Sequence, residues 1–123
     1  MRINKDTRGK GFYDLFPREC GQTDISFSYP GTIRAFHMHK IKTEWFFCAG
    51  GIIRLVLTDP FEEFFMERGD MVEIKPGRWH GFQILGDELG VMLEHSTHKY
   101  EMDNPDDFRK PYNEFTNWEI EKK

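Results

Sequence analysis

Cysteine is scarce in this chain: Cys20 and Cys48 are the whole supply among 123 residues, too few for a multi-bridge disulfide framework. Two free thiols in a reducing cytoplasm are the expectation that follows. Cys48 alternates with Phe46 on a predicted strand, which suits a small buried hydrophobe better than a nucleophile. Long apolar runs are missing as well. None approaches membrane-spanning length, and the opening Met-Arg-Ile-Asn-Lys-Asp lacks the apolar heart of a signal peptide. Neither sign of charge dominates, since 17 basic and 21 acidic residues are well mixed and leave a net −4. Without a basic stripe, no nucleic-acid partner is expected. No segment before Pro105 carries a helical period, and there is no repeat, low-complexity tract or linker.

Aromatic residues and turn punctuation are what the chain has. Aromatics make up 15% of it, with 12 Phe, in a composition that is 38% hydrophobic and therefore globular. At this length a split would leave two pieces too small to bury a core, so residues 1–123 form one domain. Its core barrel is expected over about 11–100, with a charged tail over 101–123 and a short helix around Asp106–Lys110. Short strands are predicted at Gly11–Phe16, Gln22–Tyr29, Thr32–His39, Glu44–Cys48 and Ile52–Asp59. Glu63–Glu67, Met71–Ile74, Trp79–Leu85 and Leu89–His95 continue the series. Gly, Pro and Asp pairs separate them, as in Tyr29-Pro-Gly31 and Ala49-Gly-Gly51. In Ile52–Asp59, Ile53, Leu55 and Leu57 alternate with Arg54, Val56 and Thr58, the pattern of a strand buried on one face. The fold these features predict is all-β, an antiparallel jelly-roll barrel.

Chemistry concentrates in Gly31 to Glu44 and in Pro76-Gly-Arg-Trp-His80. His37 and His39 are two apart, so on an extended strand both imidazoles share a face. Glu44 and His80 can join them from neighbouring hairpins. Three imidazoles and a carboxylate form a ligand set for Zn, Ni, Fe or Mn with open positions left for a substrate. The competing reading is a metal-free pocket in which the same imidazoles move protons. Lys40 and Lys42 flank the site, either as a solvated loop or as a clamp for phosphate. His95 and His98 fall at a strand end and are expected in solvent. Arg68-Gly69-Asp70 reads as a hairpin turn, and Glu62-Glu63 and Asp103 to Asp107 as surface acid clusters.

The spacing Gly-x5-His-x-His-x4-Glu-x6-Gly from Gly31 to Gly51 resembles the first signature of the cupin β-barrels. Gly69 through His80 resembles the second, with Lys75 where the usual first proline stands. Over nearly the whole chain the order of residues further resembles the dTDP-4-dehydrorhamnose 3,5-epimerases. Asp6-Thr-Arg8-Gly9 with Phe12, Gln22-Thr-Asp24-Ile-Ser26, Gly31-Thr-Ile-Arg34-Ala-Phe-His37, His80-Gly81-Phe82 and Tyr100 carry that likeness. It implies a nucleotide-activated 4-keto-6-deoxysugar as substrate, in deoxysugar or surface-polysaccharide biosynthesis. Arg8, Gln22 and Arg34 would lie near the diphosphate, with Tyr100 also on the substrate, and His37 would be the base; Lys42 joins the substrate-binding candidates from its place beside the site. Arg34 and His37 fall on opposite faces of a regular strand, so sharing a pocket requires a bulge or a long reach.

Two departures from that family bear on mechanism. Glu44 stands where its enolate-stabilising lysine is expected, and Glu94 where its proton-donating tyrosine is expected. The family's acidic partner for the histidine falls in a tail segment that this chain lacks by alignment. A divalent metal on His37, His39, Glu44 and His80 would restore positive charge beside the enolate, leaving Glu94 as the candidate base. A second resemblance, to the dTDP-sugar 3,4-ketoisomerases, rests on His37-Met-His39-Lys40, Asp107-Phe-Arg109 and Tyr112-Asn-Glu114-Phe115. A metal cupin acting on another small metabolite, such as an oxygenase, and a non-catalytic sugar-binding module are the remaining alternatives. Members of the epimerase family dimerise, which implies a homodimer with the segment Gly11–Tyr29 adding strands to a neighbour's sheet.

Overall fold

A computed structural model describes residues 1–110 of the chain. Its strands are β1 (Arg2–Asp6), β2 (Gly9–Tyr13), β3 (Gln22–Ser28), β4 (Ile33–Met38), β5 (Glu44–Gly50) and β6 (Ile52–Thr58), then β7 (Glu62–Met66), β8 (Met71–Ile74), β9 (Trp79–Leu85), β10 (Gly90–Ser96) and β11 (Phe108–Arg109). They form two antiparallel sheets, a six-stranded one in the order β1-β2-β3-β10-β5-β8 and a five-stranded one in the order β11-β4-β9-β6-β7. The sandwich they enclose is the predicted jelly roll. No helix among the described residues is long and apolar enough to cross a membrane.

Period-two alternation explains the core. Phe46 and Cys48 of β5, Met92 of β10, Leu55 of β6 and Phe82 and Ile84 of β9 point between the sheets and are almost completely buried. Cys48 is thus the packed hydrophobe its alternation with Phe46 predicts, and burial pushes its thiol up from the usual range. The turn at Arg68-Gly69-Asp70 is also as read, with the Asp70 carboxylate accepting the Glu67 N–H at 2.8 Å.

β6 departs from the sequence reading. It is the central strand between β9 and β7, and its second face is covered too: Val56 packs with Phe36, Ile33, Ala35 and Trp79 in a cluster of its own. Arg54 is 1% exposed there, and its Nη2 lies 2.5 Å from Glu63 Oε2. Glu63 lies at the surface as read, and it also serves as a counter-charge that helps make the buried guanidinium tolerable. Glu62 likewise pairs with Arg78, at 2.9 Å.

The expected helix around Asp106–Lys110 is replaced by a strand. Phe108 and Arg109 pair with Met38 and His37, and Lys110 exchanges backbone hydrogen bonds with Phe36 at 3.1 and 3.2 Å. The outer edge of β4 would otherwise leave its N–H and C=O groups unpaired, and this segment satisfies them. Tyr112-Asn-Glu114-Phe115 lies outside the described residues.

β4 also carries the anticipated irregularity. Arg34 opposes Phe82 while His37 opposes His80, so β4 spends three steps where β9 spends two. That is a β-bulge, and it turns Arg34 and His37 to the same side. Gly81 lies beneath it: a Cβ built there would fall 2.4 Å from the Ala35 Cβ. Only glycine lets the bulged chain approach this closely.

Candidate functional site

Three of the four predicted ligands converge. His39 follows the end of β4, Glu44 opens β5 and His80 sits on β9; all three are buried, and one donor atom from each lies within 4.8 Å of the others. His39 Nε2 is 2.9 Å and His80 Nε2 3.2 Å from the same oxygen, Glu44 Oε1. The edge of His80 meets the ring of Phe46, with 5.4 Å between centroids, which fixes the floor of the site.

The other ring nitrogens settle what this cluster asks for. His39 Nδ1 is 2.5 Å from the Asp106 carbonyl oxygen and His80 Nδ1 3.0 Å from that of Arg78. A carbonyl only accepts, so both Nδ1 atoms carry the proton and both Nε2 atoms present lone pairs when neutral. Two lone pairs then face a carboxylate oxygen that makes no well-directed hydrogen bond of its own. Such an arrangement is stable only around positive charge: a proton on an imidazole, or a metal ion. Burial works against the His39 imidazolium, but hydrogen bonding and charge from Glu44 override it and raise its pKa. Burial likewise opposes the Glu44 carboxylate, and the two imidazoles hold its pKa far below the usual range. Imidazoles anchored through Nδ1–H to carbonyls, with Nε2 aimed at a common point beside a carboxylate, also match the outer-shell pattern of metal-binding histidines. The donor set fits a first-row divalent ion.

His37 does not join this group. Its ring lies 6.3 Å from that of His80, centroid to centroid, and its Nδ1 is instead 3.2 Å from Asp107 Oδ1. The reason is positional. His37 lies within β4 opposite β11, whereas His39 follows the strand's end, so the two-residue spacing no longer places them side by side. Asp107 is half-buried, which opposes its charge, yet contact with His37 and Arg109 holds its pKa down to about 2. It is therefore an acceptor at neutral pH, His37 carries a proton on Nδ1, and Nε2 presents its lone pair when the ring is neutral.

The segment that supplies Asp107 does more. Asp106 accepts backbone N–H groups from Lys40, Ile41 and Lys42 at 2.7, 2.9 and 3.0 Å. Lys40 lies over the Phe108 ring at 4.5 Å. Asp106 and Asp107 are thus structural parts of the site rather than surface acids. The ketoisomerase resemblance of Asp107-Phe-Arg109 is the signal in the sequence that points to this segment, but the sequence in itself does not show which strand the segment covers.

The inner face of the larger sheet completes the pocket. Glu94 of β10 stands between Asp24 of β3 and Phe46 of β5. Burial pushes the Glu94 carboxyl up to about 8, helped by the charges of Glu44 and Asp24 and opposed by Arg34 and Lys42. Asp24 is raised as well, chiefly by burial, and accepts the Asp14 N–H and Gln22 Nε2, each at 2.9 Å. Lys42 is 8% exposed and its charge acts on Asp24, Glu94 and His39, so it belongs to the pocket and not to a solvated loop. Arg34 is anchored through Nε to Ser28 Oγ at 2.8 Å. Arg8 lies at the rim in an exposed pair with Asp6. Gln22 Oε1 accepts the Tyr100 N–H at 3.2 Å, and the Tyr100 side chain is exposed. His98 is in solvent as expected, whereas His95 is half-buried, 2.7 Å from Thr23 Oγ1 and stacked on Trp45.

A family model described as the cupin domain matches residues 28–96, and the chain belongs to that family. Within it, the chain is 30% identical to the spore coat polysaccharide biosynthesis protein SpsL of Bacillus subtilis, over 98% of its own length and 93% of that protein's. It is 28% identical to the "probable low-salt glycan biosynthesis epimerase Agl13" of Haloferax volcanii, over 91% of this chain and 83% of the other. In fold it is similar to the capsular polysaccharide assembling protein CapF from Staphylococcus aureus, with a TM-score of 0.81 and 24% identity. That alignment covers 88% of this chain and 31% of CapF.

Proposed function

We propose that this chain is a nucleotide-sugar epimerase that enolises a keto-sugar during polysaccharide biosynthesis, with a dTDP-4-keto-6-deoxyhexose as substrate. The observation that carries the reading is the His37–Asp107 pair, an imidazole oriented by a half-buried carboxylate and turned by the bulge toward the same side as Arg34. The names of the two curated relatives support the pathway class.

His37 Nε2 removes the proton from the carbon beside the ketone, and the electron pair of that C–H bond moves onto the carbonyl oxygen as an enolate. Asp107 steadies the imidazolium so formed. Lys42 supplies buried positive charge near the developing oxyanion, the role that Glu44 cannot fill. Glu94, protonated at neutral pH, returns a proton to the opposite face and inverts the centre. Arg34 and Arg8 take the diphosphate. Burial and the charge of Arg8 both disfavour the Arg34 cation, and a bound diphosphate relieves both. His39, Glu44 and His80 would hold a divalent ion, which when bound supplies Lewis-acid polarisation of an oxygen. The working form is a cytoplasmic homodimer.

Carbonyl migration to the neighbouring carbon is a second reading. It is favoured by Asp107-Phe-Arg109, the segment carrying the ketoisomerase resemblance, because that segment orients His37. Incubation with the dTDP-4-keto-6-deoxyhexose in deuterated water tests both. Deuterium entering the carbons beside the ketone, with inversion, is the expected result, and a displaced carbonyl marks the isomerase. Oxygen consumption would mark a metal oxygenase, and saturable binding without exchange a sugar-binding module; either overturns the epimerase.

A further inference from the structure

Glu94 and Asp24 form an opposed pair of carboxyl groups on the inner face of the larger sheet. Glu94 lies two residues beyond the core residue Met92 and opposite the core residue Phe46, so it points between the sheets. Asp24 is its direct partner across the β10–β3 ladder and shares that face. Opposed residues hold their Cβ atoms about 4.5–5.5 Å apart, near enough for the two carboxyls to meet. Two like charges in that position repel, so a proton on one of them is favoured.

Hydrogen-bond donors decide which carboxyl takes it. Asp24 Oδ1 accepts both the Asp14 N–H and Gln22 Nε2, each at 2.9 Å, and both bonds favour its ionised form. Gln22 is held in turn, since its Oε1 accepts the Tyr100 N–H. Glu44, the third carboxyl nearby, has two imidazoles facing it. Among the described residues no N–H or O–H donates to Glu94. The proton therefore falls on Glu94. A carboxylic O–H inside a protein needs an acceptor in its turn. Phe46 on one side offers none, whereas Asp24 on the other has its second oxygen, Oδ2, uncommitted.

We infer that Asp24 is a positioning residue for the acid: its fixed carboxylate accepts the Glu94 O–H through Oδ2 and so keeps Glu94 protonated and in place until substrate takes the proton. The pocket needs such a partner. Arg34 from β4 and Lys42 from the loop ahead of β5, the cations proposed to meet diphosphate and enolate oxygen, both favour the Glu94 carboxylate. Burial, Glu44 and Asp24 act against them. Of the two anions, only Asp24 stands directly opposite Glu94. Once Glu94 has donated, it is a carboxylate facing a carboxylate, and that repulsion favours its recovery of a proton from solvent before the next turnover. The inference rests on the acid role given to Glu94 above and adds the residue that maintains it.

Asp24→Asn tests it. The amide keeps Oδ1 as an acceptor for Asp14 and Gln22 but puts an N–H donor where Oδ2 was, and a donor there favours the Glu94 carboxylate instead of the acid. Infrared spectroscopy of the purified protein at neutral pH should show the C=O band of a protonated carboxyl, absent from Glu94→Gln and displaced or lost in Asp24→Asn. With a dTDP-4-keto-6-deoxyhexose in deuterated water, Asp24→Asn should lower inversion by about 10-fold or more, a share of the rate that acid–base catalysis supplies. Exchange at the carbon reached by His37 should persist, whereas a general loosening of the fold would reduce both. A carboxyl band unchanged by Asp24→Asn, or inversion and exchange falling together, overturns the inference. A wild type that exchanges no deuterium removes the epimerase reading, and the infrared comparison still decides whether Asp24 holds the proton on Glu94.

Discussion

Arg34 and His37 face the same side of β4 although three residues separate them, because their partners Phe82 and His80 are only two apart. In a regular strand one of them would point away from the barrel interior. The bulge thus joins the residue proposed to hold a diphosphate to the one proposed to take a proton. Its room comes from Gly81 on the neighbouring strand.

Gly81→Ala should therefore damage both fold and activity. The added methyl overlaps Ala35, and relief of overpacking of this kind costs about 1–3 kcal/mol. A thermal melt should show a lower midpoint, and deuterium exchange into substrate should fall more than the melt accounts for. A variant with wild-type melting and exchange would show that the bulge has other room to move.

Asp107→Asn should leave the barrel folded but impair the base. Losing the group that orients and charges a general base typically removes about 10²–10⁴ of the rate, the scale of general acid–base catalysis itself. Single-turnover exchange should fall on that scale while substrate binding, read by calorimetry, changes little. Unchanged exchange would remove Asp107 from the mechanism.

Glu94 makes a pH prediction. Its carboxyl is held up to about 8, so the protonated form required of an acid is present below that value and is lost as pH rises through it. Epimerisation should decline on the alkaline side, and Glu94→Gln should remove inversion while retaining exchange at the carbon reached by His37. Stability moves with the same sign. A carboxyl whose folded pKa is raised contributes full stability only below its unfolded value near 4, and loses it as pH climbs to about 8. Glu94→Gln should therefore melt higher than wild type at pH 7.5 and converge with it near pH 4.

The metal question separates His37 from its neighbours. Protein purified without added metal or a histidine tag should carry a divalent ion by elemental analysis. His39→Ala, Glu44→Gln and His80→Ala should each empty the site, and His37→Ala should keep it filled. Loss of metal in His37→Ala would place that imidazole among the ligands after all. Substoichiometric metal in wild type, with activity unchanged by a chelator, would leave the trio sharing a proton.

The barrel was legible because its strands alternate cleanly and glycine and proline mark its turns. Met71–Ile74 and Trp79–Leu85 coincide with β8 and β9 for that reason. The buried outer face of β6 was not legible, because Arg54 and Thr58 look like solvent positions until Glu63 and the cluster around Phe36 come to lie against them. His39, Glu44 and His80 could be picked out by spacing, since hairpins translate short separations into proximity. Asp107 could not. Its meeting with His37 joins residues 70 apart in sequence through an edge-strand pairing that local pattern does not encode. The burial of Lys42 was equally hidden, since Lys40 and Lys42 differ in surroundings only once Asp106 folds their loop down.

The Asp106–Arg109 segment also separates the orienting of the imidazoles from the building of the core. Every core strand from β3 to β10 precedes it in the chain, yet the oxygen partners of His37 Nδ1 and His39 Nδ1 both come from it. Without residues 106 and 107 along β4, His37 and His39 would lack the acceptors that fix their tautomers. The core residues carry none of that orientation, so a change confined to this edge segment would reach proton transfer without touching the packing between the sheets.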